Sequence, residues 1–343
     1  MKDKYPKLVI NIDHIRNNVR QIVESCDAMG IKVAGVIKGA NGLVEISKVF
    51  DEAGVAFIAS SRIEQLRDAK EAGVEKELML IRIPMLSEAE DVIRVADISL
   101  NSEIKVIKAL NEEAAKQGRI HKVILMADVG DLREGFWDKD ELVDIAMRVE
   151  SNMNNIRLAG VGFNVGCYGS IIPTVDKMEE LIRIAEKIEK SIGRKLEYLS
   201  GGATTSLLRV HDLTMPERIN LLRIGEGILL ARDLEISHGV SIEGMYKDTF
   251  ILKAEIVEIK DKHTNAGRKR ALLAIGKVDY GNPLELEIMD EGVEIIDASS
   301  DYTVVELESS LKEWKIGDIL SFGVTYATAV YLSKSRSVKI NYV

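Results

Sequence analysis

The sequence predicts an α/β protein, a (β/α)8 TIM-type barrel followed by a C-terminal all-β domain. Three observations carry this. Eight short apolar runs alternate with amphipathic segments over the first two thirds of the chain. Every one of those runs finishes on or beside a polar or charged residue. Beyond about residue 233 the helical periodicity fades into short β-rich runs separated by turns. Strands alternating with helices build parallel sheets, and eight such units close a barrel.

In chain order the apolar runs are IKVAGVI (31–37), VAFIAS (55–60), LMLIRI (78–83), ADISL (96–100), KVILMAD (122–128), LAGVGFN (158–164), LEYLS (196–200) and NLLRIG (220–225). Between them lie helix-like segments such as SRIEQLRDAKEAG, SEIKVIKALNEEAAKQG and TVDKMEELIRIAEKIEKSIG. These open on Ser or Thr and close on Gly, as capped helices do. The later runs TFILKAEIVEIK, KRALLAIGKV, LEIMDEGVEII, YTVVELES, DILSFGV and SVKINYV read as strands of a separate domain. The expected division is a barrel over 13–232 and a β domain over 233–343, with the N-terminal strand 7–12 joining the β domain.

Composition narrows the function. The net charge is −9 and the basic residues are scattered, whereas phosphate-backbone binding needs a concentrated basic face. Nucleic acid is therefore not an expected partner. Two cysteines, Cys26 and Cys167, suggest no disulfide framework, and a reducing compartment fits. The charged N-terminus lacks a signal-peptide core, and no apolar run approaches a membrane span. The expectation is a cytoplasmic protein without membrane contact.

Chemistry in such a barrel sits at the C-terminal ends of the strands. Those ends carry Lys38, Ser60, Ser61, Arg82, Asn101, Asp128, Asn164, Ser200 and Arg223. Strand ends are often polar, so each position alone says little. Two glycine-bearing turns add weight: LSGGATTSL (199–207) and RIGEG (223–227). Glycines beside hydroxyls leave backbone N–H and Oγ groups free for a phosphate. As structure alone they are a helix cap and a tight turn. They nevertheless follow the last two predicted strands, where barrels of this kind bind phosphate. A phosphate at one side of the mouth and a lone lysine at the other suggest pyridoxal 5'-phosphate, whose aldehyde joins a lysine amine. Gly39 and Ala40 beside Lys38 would leave room for a flat ring.

The motifs VIKGANG, SRIEQL, LIRIPML, ADVGDLREG, GFNVGCYGSIIP, SGGATTS, NLLRIGEG, AIGKVD and ASSDY together resemble the alanine racemase superfamily, the fold-type III pyridoxal phosphate enzymes. Within it the chain is most similar to the ornithine and basic amino-acid racemase branch. The resemblance covers essentially the whole chain and implies a racemase of ornithine or lysine, working as a homodimer. It implies that Lys38 is the Schiff-base lysine and that Arg133 lies beside the cofactor, orienting substrate and lysine. Asn164 falls where alanine racemases stack a histidine on the pyridine ring, a departure from the pattern. Arg223 matches the arginine facing the pyridine nitrogen. Ser200, Thr204, Thr205, Gly225 and Glu226 fall in the phosphate-binding motifs, the last two through backbone N–H. Tyr326, in GVTYATA, matches a tyrosine that donates to the phosphate. A guanidinium keeps its proton near neutral pH, so Arg223 should leave the ring nitrogen unprotonated. That weakens the electron sink and favours prompt reprotonation.

Racemisation needs a base on each face of the reacting carbon. Lys38 serves one face. In alanine racemases a tyrosine of the partner subunit serves the other, from a segment comparable to AIGKVD, where this chain has Lys277. Tyr302 stands in a second loop, Tyr280 lies close by, and Cys167 and Tyr168 follow the sixth strand. A cationic substrate side chain needs a carboxylate at the far end of its pocket, which makes Asp279 and Asp301 candidates beside Cys167 and Tyr168. The competing readings are a broad-specificity or alanine racemase, a non-catalytic pyridoxal phosphate carrier, and a metal-assisted lyase or aldolase. Carriers as a rule lack the β domain. His14, His121, His211, His238 and His263 show no metal-ligand spacing, so no metal is expected.

Overall fold

The computed structural model describes residues 4–166, 171–262, 268–307 and 309–343. The chain divides into two compact units, one of residues 18–38 and 42–244 and one of residues 1–17, 39–41 and 245–343. After an N-terminal strand, β1 (Lys7–Ile10), the first unit carries β2 (Lys32–Val36), β3 (Phe57–Ser60), β4 (Glu77–Leu80), β5 (Ile98–Asn101), β6 (His121–Met126), β7 (Ile156–Gly162), β8 (Tyr198–Ser200) and β9 (Leu221–Ile224). All are parallel, and β9 closes on β2 to complete an eight-stranded barrel. The eight apolar runs of the sequence are these eight strands, displaced by two or three residues at most.

The barrel interior is a packed core, as expected of this fold. One apolar cluster takes residues from all eight strands, among them Ala34, Val36, Phe57, Met79, Leu100, Met126, Ala159, Tyr198 and Leu221. Side chains alternate along a strand, so this cluster defines which strand-end residues share the interior row. Asp128 continues Ile124 and Met126, Ser200 continues Tyr198, and Arg223 continues Leu221, while Lys38 is exposed and opens a single 3-10 turn just past β2. Ser60, Arg82 and Asn101 fall on the opposite parity. Ser60 bonds Gln65 at 2.6 Å, Arg82 pairs with Glu88 at 2.6 and 2.7 Å, and Asn101 donates to Ser99 Oγ at 3.0 Å. The expectation that every strand end converges on one mouth is corrected accordingly, because these three polar ends lie off the interior row.

The helix caps differ in one respect from expectation. Helix Val175–Ile192 is capped as its sequence suggests, with Thr174 accepting from the Lys177 amide and Gly193 in the left-handed region at φ 76°. Helices Ile63–Glu71 and Ile104–Lys116 instead have Arg62 and Glu103 at the cap, with no side-chain bond. Near the first of these, Ser60 Oγ accepts from the Arg62 amide at 3.1 Å.

The second unit is antiparallel. Its strands are β10 (Phe250–Lys262), β11 (Arg268–Leu273), β12 (Leu286–Ile288), β13 (Glu294–Ala298), β14 (Thr303–Glu306), β15 (Ile319–Val324) and β16 (Lys339–Tyr342). The order is β12-β15-β10-β11-β14-β13. Strand β1 pairs antiparallel with β10 and parallel with β16, so the N-terminal strand belongs to this sheet. Two short helices, Lys277–Tyr280 and Tyr326–Leu332, interrupt the β texture.

Candidate active site

The barrel unit gathers Ser200, Asn164 and Arg223 around one guanidinium. Arg223 is 4% exposed. It donates through Nη2 to the Phe163 carbonyl at 2.8 Å and to Asn164 Oδ1 at 3.4 Å, and through Nη1 to Ser200 Oγ. A buried cation is costly unless its donors are met, and here three groups at the ends of the two neighbouring strands, β7 and β8, meet them. Strand β2 lies next to β9, with Ala34 opposite Arg223. Lys38 therefore opens the turn that follows the strand beside the one carrying the arginine.

The turns after β8 and β9 are bonded to each other. The Gly227 amide donates to Thr204 Oγ1 at 3.2 Å, and Thr205 Oγ1 donates to the Val165 carbonyl at 3.3 Å. A Cβ on Gly227 would lie 2.9 Å from Thr204 Cγ2, so only glycine allows this approach. The side chain of Glu226 adds what the sequence reading, confined to its backbone, did not foresee. Glu226 Oε1 accepts from the amides of Arg232 at 2.9 Å and Asp233 at 3.1 Å. Burial raises its pKa to about 7, the Asp233 charge adds to this, and the two amide bonds oppose it.

Arg133 sits on a closed loop after β6. The loop shuts where the Phe136 amide donates to the Met126 carbonyl at 2.8 Å and the Asp128 amide to the Phe136 carbonyl at 3.0 Å. Asp128 Oδ1 accepts from the amides of Gly130 at 2.8 Å and Leu132 at 3.2 Å. Lys139 Nζ donates to the carbonyls of Asp128, Phe136 (3.3 Å) and Trp137 (2.8 Å), and Lys177 Nζ to that of Val129 (2.6 Å). Leu132, just before the arginine, has φ 57°. Arg133 pairs with Glu134 through both Nε and Nη2, the latter at 2.7 Å. These loop-holding lysines carry no motif and are invisible from sequence.

In the β unit, the Lys277 and Val278 amides donate to the Ser299 and Ser300 carbonyls at 2.9 and 3.2 Å, which joins the two loops singled out by sequence. Lys277 Nζ pairs with Asp297 at 3.3 Å and is 46% exposed, and Tyr302 is 48% exposed. Tyr280 is fully buried and its phenol bonds Thr303 at 2.7 Å, which removes it as a base. Asp279 departs from the expected substrate-facing carboxylate. It is 6% exposed and accepts from Ser335 Oγ at 2.7 Å, with the Gly276 amide 3.5 Å from its second oxygen. Asp301 is exposed and accepts from Ser300 at 2.5 Å. Tyr326 opens the second short helix, after Thr325. Cys167 and Tyr168 lie outside the described residues, as does His263.

Pyridoxal phosphate fits the barrel-unit residues. Its phosphate needs hydroxyl and backbone donors in a tight turn, and the bond between Gly227 and Thr204 brings the Thr204 hydroxyl against the 225–227 backbone. Its ring nitrogen needs a fixed partner, and Arg223 is fixed by three bonds.

The alanine racemase N-terminal domain family matches residues 10–233. The chain is 37% identical to an ornithine racemase of Acetoanaerobium sticklandii, over 96% of this chain and 99% of that one. It is 36% identical to a lysine racemase of Thermotoga maritima, over 94% of each. In three dimensions it resembles an alanine racemase from a D-cycloserine-producing Streptomyces lavendulae, with a TM-score of 0.81, 17% identity and coverage of 100% of this chain and 98% of the other. The barrel with a β unit and this mouth define a fold-type III enzyme, and the chain belongs to the alanine racemase family. It is a pyridoxal 5'-phosphate-dependent amino-acid racemase.

Proposed function

We propose that the enzyme interconverts the L- and D-forms of a basic amino acid, ornithine or lysine. The observation that carries the chemistry is the adjacency of β2 and β9, which puts Lys38, at the start of the turn after β2, beside the strand that carries Arg223. The similarity to ornithine and lysine racemases over nearly the whole chain supports the substrate class.

When bound, pyridoxal phosphate supplies the electron sink that makes the substrate's α-proton removable. The chain's own residues do the rest. Lys38 takes the α-proton of one enantiomer from its own face while the base on the opposite face delivers a proton, and in the reverse direction the two exchange roles. Thr204, Thr205 and the 225–227 turn hold the phosphate, and Arg223 holds the ring nitrogen's side with its charge fixed. Arg133, on its pinned loop, binds the substrate carboxylate and keeps it oriented towards Lys38. The second base comes from the β unit of the other copy in a homodimer, from Lys277 or Tyr302, both accessible. Asp301 is the exposed carboxylate in that loop pair suited to the substrate's side-chain ammonium.

The test is incubation of the holoenzyme with L-ornithine, L-lysine and L-alanine separately in deuterated water, following α-proton loss and D-product. Exchange with inversion for the two basic substrates, and little for alanine, is expected. Inversion of alanine alone would overturn the substrate class. Exchange without inversion would remove the two-base scheme.

A further inference from the structure

The side chain of Glu226 has no part in the reaction just derived, yet it is 6% exposed and stands inside the phosphate-binding turn. A carboxylate there is a poor neighbour for a dianionic phosphate. Its first oxygen is held by the Arg232 and Asp233 amides, while its second has no hydrogen-bond partner among the described residues. Beside it lies a cavity of about 10 Å³, walled also by Leu234, Val240 and Ile242. That is about the volume one water requires, but such a water needs two or more polar partners. An ionised carboxylate with one bare oxygen against apolar walls is unfavourable, and a protonated one is tolerated there.

We propose that Glu226 is a positioning residue for the phosphate-binding turn, acting as a neutral carboxylic acid. Its carbonyl-type oxygen ties the Gly225–Gly227 turn to the amides that follow Ala231. Its proton removes the charge that would repel the phosphate. The charged groups facing it are Arg232 and Asp233, of which Asp233 favours the protonated form. Cofactor affinity then weakens as pH rises through about 7, where the acid ionises. The inference rests on the assignment of this turn as the phosphate site.

The test uses full-length protein freed of cofactor, titrated with pyridoxal 5'-phosphate and with pyridoxal, which lacks the phosphate, at pH 6.5 and 8.5. Wild type, Glu226→Gln and Glu226→Ala are compared, with melting of each apo-protein measured alongside. Glu226→Gln keeps the accepting oxygen without the charge. It is expected to match wild type at the lower pH and to bind pyridoxal phosphate several-fold more tightly at the higher. Glu226→Ala is expected to lose on the order of tenfold for pyridoxal phosphate at both, with pyridoxal binding unchanged. Equal losses for both ligands, or no loss in the alanine variant, would overturn the inference. So would a glutamine variant with the wild-type pH dependence. Wild type holding both ligands equally would instead overturn the phosphate assignment, and this inference with it.

Discussion

Gly227 donates its backbone amide to Thr204 Oγ1 at 3.2 Å, and that bond joins the turn after β9 to the turn after β8. Thr204 is 8% exposed, so removing its hydroxyl leaves a buried amide without a partner. Such a loss costs about 1–3 kcal/mol. Thr204→Val is therefore expected to weaken cofactor binding by roughly tenfold or more, while Thr204→Ser stays near wild type. Equilibrium titration of the apo-protein reads this directly. Wild-type affinity in the valine variant would remove the hydroxyl from the cradle.

Lys38→Ala is expected to lower racemisation by on the order of 10³-fold, the scale of a lost general base. Melting temperature should change little by comparison. A variant that kept a tenth of the activity would show that another group handles the proton on that face.

Two buried groups make opposite demands on pH. Glu226 holds its proton to about pH 7 in the folded state against a normal value of 4.5. Between those values the native state binds more protons than the unfolded one, so stability falls as pH rises. His121, fully buried at the start of β6 with Ser99 Oγ at 2.7 Å from Nε2, is pushed down by burial from 6.5 to about 4. It is neutral in the fold where the unfolded chain would be charged, so its contribution rises with pH between about 4 and 6.5 and is lost in acid. The slopes oppose each other, at about 1.4 kcal/mol per pH unit each. Glu226→Gln should uncover the His121 slope, and denaturant unfolding of both proteins from pH 4.5 to 6.5 measures it. Parallel curves for the two proteins would show that Glu226 ionises normally.

Much of the barrel and part of the site could be read from residue types and spacing. The apolar runs marked all eight strands because a strand inside a closed barrel is buried on both faces. Counting in twos from Leu221, Phe57 and Met79 would also have put Arg223 on the interior row and Ser60 and Arg82 off it. What sequence could not supply was partnership at long range. Asp279 and Asp301 read alike as turn aspartates, yet one is spent on Ser335, 56 residues away, and the other is exposed. Lys139 looks like any helix-start lysine until its ammonium is seen among three carbonyls. Glu226 reads as a backbone donor in a glycine turn, since nothing local reveals that its side chain is buried.

Gly135 offers the sharpest test of whether the loop after β6 positions Arg133. Its φ is 126°, and an added Cβ would lie 2.4 Å from the Asp128 amide nitrogen and 2.6 Å from the Ala127 carbonyl carbon. Both obstacles are backbone, so neither can swing away, and the loop must open at its closing bridge between Ala127 and Phe136. The Asp128 carboxylate and the Lys139 ammonium would then lose their fixed partners, and Arg133 would shift with them. Displacement of a positioning group by about 1 Å can cost on the order of 100-fold in rate. Gly135→Ala is accordingly expected to lower kcat/KM to that degree while cofactor affinity, which we assign to the turns after β8 and β9, stays within about twofold. Steady-state kinetics beside cofactor titration separates the two effects. Full activity in this variant would mean that Arg133 does its work without the loop's geometry, and equal losses in both measurements would mean that the barrel itself had been disturbed.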